Sequence, residues 1–316
     1  MEYVLVTPRS LSKSGHPSLE KIRAAGFDIV YPSPGAQPTE AQILAAIPGA
    51  VAYLAGVEPI GAGVLEKASK LRVISRNGTG VDAIDLDAAK ARGIEIRRAE
   101  GANARGVAEL AFGHLLAAVR GISSSDAALK AGGWNRQKGR ELEGKTLGLL
   151  GCGKIGKLVA RFALAFDMEV LAYDLYPDSA FAPPGSFRFA SFKEVVAGAD
   201  FISLHCPPSP DGRPLIGSSE IAAMKKGAIV VNTARQSLVD EAAMLAALEN
   251  GQIAAYTIDA FDIEPPENRA IIVCPKVIAT PHIGGFTDES VDRATDVAVD
   301  NLLDSLIKKK TIGLAR

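Results

Sequence analysis

A glycine-rich turn between an apolar run and a helical segment constrains this chain more than any other feature. The run from Thr146 to Leu150 leads directly into Gly151, Gly153 and Gly156, which have the spacing G-x-G-x-x-G. This order predicts a buried parallel strand, a tight turn and a helix. The first two glycines let the backbone approach a pyrophosphate, and the third lets the helix pack closely on the strand. The pattern therefore predicts a dinucleotide-binding α/β unit.

An acidic residue ends the next apolar run, which extends from Met168 to Tyr173. Asp174 stands where an acid binds the ribose hydroxyls of NAD. Leu175 and Tyr176 follow it, where an NADP enzyme has a cation for the extra phosphate. We therefore predict NAD as the cofactor, with its phosphates at the start of the helix.

Composition bounds the remaining possibilities. The chain has 316 residues, 47% of them hydrophobic, which predicts about two globular domains. A formal net charge of −1 predicts no nucleic-acid or membrane partner. The three cysteines have no metal-like spacing, which predicts reduced thiols, a cytoplasmic protein and no metal site. The N-terminus resembles a strand, not a signal peptide.

Short apolar runs alternate with helical segments along most of the chain. This alternation predicts an α/β fold of two doubly wound, Rossmann-like domains. We expect residues 99–286 to form the larger, NAD-binding domain. We expect residues 1–98 and 287–316 to form a smaller, flavodoxin-like substrate-binding domain, which the C-terminal helix covers.

Three polar residues follow predicted strands of the larger domain: Arg235, Glu264 and His282. A carbonyl that accepts a hydride develops negative charge on its oxygen, so histidine suits the role of proton donor. A carboxylate beside it stabilises the imidazolium, and an arginine offers paired donors to a substrate carboxylate. Alone, each has a plainer explanation as a capping histidine, a surface ion pair or a Glu-Pro turn. Together, their complementary roles favour reduction of a 2-keto acid.

Besides the glycine loop, seven motifs are spread over nearly the whole length: NGTGVD (77–82), VAELAF (107–112), EGKTLG (143–148), SLHCP (203–207), MKKGA (224–228), NTAR (232–235) and TPHIGG (280–285). With these motifs the chain resembles the D-isomer-specific 2-hydroxyacid dehydrogenases, a family that includes phosphoglycerate dehydrogenases and glyoxylate and hydroxypyruvate reductases.

The resemblance implies a role for each site residue. His282 is the acid/base, Glu264 its partner and Arg235 the carboxylate anchor, assisted by backbone amides near Asn77 and Gly78. The implied cofactor contacts, besides the three glycines and Asp174, are Lys154, Ile155, His205, Cys206, Pro207, Thr233, Ala234, Asp259 and Gly284. The resemblance also implies a homodimer formed through the NAD domain, with an exchanged arm at residues 132–135.

Three departures from the family pattern stand out, and one is the segment YTI (256–258) that precedes Asp259. Gln236 stands where the family commonly has glycine. Glu58 lies in the segment where phosphoglycerate enzymes place an arginine for the substrate phosphate. If Glu58 faces the cleft, it repels a phosphate.

We therefore expect an NAD-dependent dehydrogenase of a small D-2-hydroxy acid. The alternatives left open are a phosphoglycerate dehydrogenase proper, an NADH-sensing protein without catalysis, and a relative acting on formate or phosphite.

Overall fold

The chain folds into two compact units. The computed structural model describes residues 2–267 and 269–313. The first unit ends at Asn103 and resumes at Thr287, and the second runs from Ala104 to Phe286. The first boundary lies later than the predicted residue 98, because Ala99 and Ala102 are buried in the core of the first unit.

Both units are built from parallel strands and surface helices. The strands are β1 (Tyr3–Val6), β2 (Asp28–Val30), β3 (Ala50–Ala55), β4 (Val73–Arg76), β5 (Glu95–Arg98), β6 (Thr146–Leu150), β7 (Glu169–Tyr173), β8 (Phe187–Phe189), β9 (Phe201–Leu204), β10 (Ala228–Asn232), β11 (Ile253–Ile258) and β12 (Val277–Ala279). The helices are α1 (Arg9–Ser14), α2 (Leu19–Ala24), α3 (Glu40–Ala46), α4 (Ala62–Lys67), α5 (Leu86–Ala91), α6 (Ala104–Arg120), α7 (Ile122–Lys130), α8 (Lys154–Ala165), α9 (Phe192–Gly198), α10 (Ser218–Ala223), α11 (Glu241–Asn250), α12 (Ala270–Val273) and α13 (Asp288–Gly313). Among the described residues, no helix combines the length and the apolar character that crossing a bilayer requires.

The first unit contains a five-stranded sheet in the order β2-β1-β3-β4-β5, with every neighbouring pair parallel. This is the flavodoxin-like strand order. Helix α13 contributes Ala298, Leu302 and Leu306 to its core. The strand order reverses between β1 and β3, so a ligand crevice is expected at the carboxyl ends of these two strands.

The second unit contains a seven-stranded parallel sheet in the order β12-β11-β10-β9-β6-β7-β8. Two apolar clusters pack against it, and they include Val230 and Ile258 in one and Leu149 and Val231 in the other. The chain leaves β6 for β7 on one side and returns to β9 on the other. The carboxyl end of β6, where the glycine loop begins, is therefore the switch point of this sheet.

Candidate functional site

The glycine loop connects β6 to α8 with little room for side chains. Gly151 has φ of +98°, and a Cβ atom there would lie 2.5 Å from the carbonyl oxygen of His205. A Cβ atom on Gly156 would collide with the carbonyl oxygen of Gly151. Gly153 caps α8, and a Cβ atom there would meet nothing within 4 Å. Thus two glycines are required by the protein's own backbone, and the middle one borders open space at a helix N-terminus.

The carboxylate of Asp174 is fixed beside this loop. Its Oδ2 accepts the Cys152 N–H at 2.7 Å and its Oδ1 accepts the Tyr176 N–H at 2.9 Å. A carboxylate oxygen accepts about two hydrogen bonds, so each oxygen keeps capacity for a hydroxyl group. Leu175 and Tyr176 project into solvent and place no cation here, as the NAD prediction requires.

The loop after β9 borders the glycine loop from the neighbouring strand. The His205 N–H donates to the Leu150 carbonyl at 2.7 Å, and its Nε2 lies 2.8 Å from the Ser203 hydroxyl. Burial lowers the pKa of His205 to about 4, so this ring is neutral at physiological pH. Burial also raises the pKa of Cys206 to about 11, which keeps the thiol protonated and unreactive. Pro207 follows on the exposed side.

Asp259, immediately after β11, organises the turn that carries His282. Its side chain is 1% exposed. Oδ1 accepts the Thr280 hydroxyl at 2.5 Å and the Ile283 N–H at 2.9 Å, and Oδ2 accepts the Gly284 N–H at 2.8 Å. Three hydrogen bonds to the Asp259 carboxylate hold the turn that carries His282 more firmly than one hydrogen bond could.

Asn232, at the end of β10, holds the backbone of Arg235. Its Oδ1 accepts the N–H groups of Ala234 and Arg235 at 3.1 and 3.2 Å. Its Nδ2 donates to the Arg235 carbonyl at 2.7 Å and to the Tyr256 hydroxyl at 3.1 Å. No role was predicted for this residue from the sequence. The signal for it was a polar residue ending the apolar run of β10, which must find hydrogen bonds when it is buried.

His282 and Glu264 form a hydrogen-bonded pair. His282 Nδ1 lies 2.7 Å from Glu264 Oε1, and both side chains are about half exposed. The same Oε1 atom accepts the Phe261 N–H at 3.1 Å, which fixes the carboxylate. His282 has φ of +52°, a left-handed conformation that is uncommon outside glycine. With Nδ1 held by the carboxylate, the other ring nitrogen, Nε2, can exchange a proton with a ligand.

Gln236 links the loops that carry two of the predicted catalytic residues. Its Oε1 accepts the Asp262 N–H at 2.9 Å, and its Nε2 donates to Glu241 at 2.7 Å. It therefore connects the turn after Arg235 to the loop that carries Glu264. A glycine at this position could not make either bond.

The predicted carboxylate-binding segment lies after β4 in the first unit. The N–H groups of Asn77 and Gly78 already donate to neighbouring carbonyl oxygens, each at 2.9 Å. Both amides are thus engaged within the first unit, and a carboxylate site near Asn77 and Gly78 stays a prediction. The N–H groups of Thr79 and Gly80 make no hydrogen bond within the part of the chain that the structure describes, so they are the ones open to a ligand.

Glu58 lies at the switch point of the first unit and is only 2% exposed. Its Oε1 accepts the Tyr53 hydroxyl at 2.9 Å and the Gly56 N–H at 3.0 Å, and the Thr7 hydroxyl donates to it as well. Thr7 follows β1 and Gly56 follows β3. A carboxylate without an ion-pair partner among the described residues is thus held at the carboxyl ends of these strands.

The second unit can hold a dinucleotide. The open space beside Gly153 suits a pyrophosphate, and Asp174 suits a ribose. Thr233 Oγ1 is buried without a partner among the described residues, and a cofactor can supply one. Lys154 and Ile155 begin α8, and Ala234 and Gly284 lie beside Asn232 and Asp259. Among the described residues, no group of His, Cys, Asp and Glu side chains is arranged to hold a metal ion.

Comparison with known families gives one match within the second unit. The model of the D-isomer specific 2-hydroxyacid dehydrogenase NAD binding domain matches residues 112–284. This range contains the glycine loop and the His282–Glu264 pair.

Two curated relatives are similar in sequence. A D-3-phosphoglycerate dehydrogenase of Methanocaldococcus jannaschii is 44% identical over 76% of this chain and 46% of its own length. A hydroxypyruvate reductase of Thermotoga maritima is 40% identical over 78% of this chain and 81% of its own length. The chain thus spans about half the length of the phosphoglycerate dehydrogenases that it matches.

Two solved structures are similar over both units. A glyoxylate reductase from Paecilomyes thermophila has a TM-score of 0.82 and 28% identity, covering 96% of this chain and 95% of its own. The apo-structure of D-lactate dehydrogenase from Escherichia coli has a TM-score of 0.80 and 27% identity, covering 98% of each chain.

Proposed function

Because this chain belongs to the D-isomer specific 2-hydroxyacid dehydrogenase family, we propose that it interconverts a small D-2-hydroxy acid and its 2-keto acid with NAD. The hydrogen bond between His282 and Glu264 carries the proposal, since it couples an imidazole, the side chain best suited to exchange a proton, to a fixed carboxylate. It lies at the same edge of the sheet as the glycine loop, where α/β sheets bind ligands.

Each residue of the pair has a distinct task. Bound NADH supplies the hydride for reduction of the keto group. His282 donates a proton from Nε2 to the developing alkoxide, and Glu264 stabilises the imidazolium through Nδ1. In the oxidative direction, His282 accepts the hydroxyl proton. Arg235 binds the substrate carboxylate through its guanidinium.

Glu58 favours a substrate without a phosphate group. Its buried charge lies at the carboxyl ends of β1 and β3, where the first unit is expected to bind its ligand. Charges are poorly screened in such surroundings, so a phosphate dianion is repelled. The second candidate is nevertheless a phosphoglycerate dehydrogenase, because relatives of that name are 37–44% identical.

Steady-state assays with NADH separate the two candidates. We expect turnover of at least one of glyoxylate, hydroxypyruvate and pyruvate, and a lower kcat/KM for phosphohydroxypyruvate. Glu58→Gln keeps an acceptor for the three donors and removes the charge. It should raise kcat/KM for phosphohydroxypyruvate relative to hydroxypyruvate about tenfold, equivalent to about 1.4 kcal/mol.

The matched control is Glu66→Gln on α4, an exposed carboxylate in the same unit. It should leave the substrate ratio unchanged. No turnover of any of the four keto acids by folded, NADH-bound protein contradicts the proposed function. Preference of the wild type for phosphohydroxypyruvate supports the second candidate instead.

The proposed assembly is a homodimer formed through the second unit. Every residue of α7 is at least partly exposed, and both Ile122 and Leu129 are more than half exposed. Trp134, in the following arm, is 81% exposed. Large apolar side chains with this much exposure are typical of an interface. Sedimentation equilibrium should give twice the chain mass, and Trp134→Ser should weaken association; a wild-type monomer at micromolar concentration refutes the proposal.

We propose that the protein works in the cytoplasm. Its three cysteines, Cys152, Cys206 and Cys274, are free thiols, as a reducing compartment favours. Fractionation of cells that express the full-length protein tests this, and recovery in a secreted or membrane fraction contradicts it.

A further inference from the structure

A buried histidine on α6 is the starting point of a further inference. His114 is 4% exposed, and its neighbours Phe112 and Leu115 on the same helix are buried apolar side chains. Its Nδ1 is buried without a hydrogen-bond partner among the described residues. A leucine would pack in such a place without leaving an orphaned polar atom, so packing alone does not account for histidine here.

The other ring nitrogen of His114 makes a specific contact. Nε2 lies 3.2 Å from the Thr280 hydroxyl oxygen, and this hydroxyl donates its hydrogen to Asp259 Oδ1. Thr280 therefore accepts from His114, which fixes the neutral ring with its hydrogen on Nε2. Burial lowers the pKa of His114, although the charge of Asp259 acts in the opposite direction. The neutral ring is thus the form present at physiological pH.

The hydrogen-bond chain ends at the backbone around His282. With Thr280 and the Ile283 N–H, both acceptor positions of Asp259 Oδ1 are filled. Oδ2 is then directed to the Gly284 N–H at 2.8 Å and keeps one position open. The left-handed conformation of His282 costs free energy, and it persists only where its surroundings hold it. The two amides bound by Asp259 directly follow that residue.

We propose that His114 is a positioning residue, which acts through Thr280 and Asp259 to fix the turn carrying His282 and the remaining acceptor position of Asp259. The inference rests on the proposed function, because that turn carries the proposed proton donor. It adds a residue that contacts neither the substrate nor the reacting atoms. The effect of His114 on this turn depends on the single N–H group at its Nε2.

Three variants at this position separate positioning from packing. His114→Leu retains apolar volume and removes the donor; we expect kcat to fall about tenfold and the Kd for NADH to rise several-fold. His114→Gln places an amide N–H near the position of Nε2, and we expect kcat within about threefold of the wild type. His114→Asn is too short to reach Thr280 and should behave like the leucine variant.

Two variants of Thr280 test the same hydrogen-bond chain at the residue that accepts from His114. Thr280→Val removes the hydroxyl and Thr280→Ser keeps it, so only the valine variant should lower kcat. If both residues act through one chain, the His114→Leu/Thr280→Val double variant should be little worse than either single variant. This pair also keeps the inference testable if a His114 variant does not fold.

The Kd for NADH, measured by fluorescence quenching, separates failure of this inference from failure of the proposed function. Wild-type protein that binds NADH but reduces no keto acid disproves the proposed function. The Kd values of the variants for NADH still test the hydrogen-bond chain in that case. Unchanged kcat and Kd in His114→Leu overturn the inference. A His114→Gln variant whose kcat is no higher than that of His114→Leu also overturns it. Fully additive effects of His114→Leu and Thr280→Val overturn it as well.

Discussion

Replacing His282 by Gln should lower kcat for keto-acid reduction about a thousandfold, within the range that a general acid contributes. Glutamine is close in size and can donate to Glu264, as His282 Nδ1 does at 2.7 Å. It has no group that exchanges a proton near neutral pH. The variant therefore keeps the hydrogen bond to Glu264 and loses the proton donor. The measurement is single-turnover oxidation of NADH with saturating keto acid.

The control is His16→Gln in the first unit. His16 also lies near a carboxylate, with Nε2 3.3 Å from Asp292, but it follows no strand of the second sheet. This variant should keep full activity. The Kd for NADH should be unchanged in both variants. A general acid typically contributes about a hundredfold to ten-thousandfold to the rate. A His282→Gln enzyme that retains more than about a tenth of the wild-type kcat therefore contradicts the assignment.

The fold was predictable wherever the apolar pattern is strong. Buried parallel strands such as β6 are continuous apolar runs between turn residues, and the run predicted from Thr146 to Leu150 has the bounds of the observed strand. The edge strands β5 and β8 were not predicted. Their sequences, EIRR and FRF, contain charged residues, because each pairs on one side only and is half exposed. Short helices such as α4 and α5 were also missed, since six residues carry little periodicity.

The candidate site was predictable where residues follow strands. Parallel strands bring their carboxyl ends to one edge, so Glu264 and His282 could be expected near each other despite their separation in sequence. Side-chain direction could not be predicted. The sequence did not show that the Glu58 carboxylate is buried and accepts hydrogen bonds from three donors. His114 lies in an apolar helix, and only the fold brings it to Thr280.

Arg235 provides the second large effect. Its backbone N–H and carbonyl are both held by Asn232, so a change of side chain should leave the main chain in place. Its Nη1 donates to the Ala234 carbonyl at 2.7 Å, which orients the guanidinium plane. Lysine retains the charge but cannot offer two parallel donors to a carboxylate. We expect Arg235→Lys to lower kcat/KM about a hundredfold, in line with losing part of a charged hydrogen-bonded pair.

Comparing a keto acid with its amide identifies the group that Arg235 binds. The wild type should prefer pyruvate to pyruvamide strongly, because only the acid offers a carboxylate, and Arg235→Lys should lose most of this preference. The matched control is Arg140→Lys, whose Nη1 also donates to a backbone carbonyl, that of Gly227, at 2.7 Å. It should preserve both activity and preference. If Arg235→Lys lowers activity on acid and amide equally, the guanidinium acts on the reacting carbonyl or on the cofactor, and the carboxylate must be bound elsewhere.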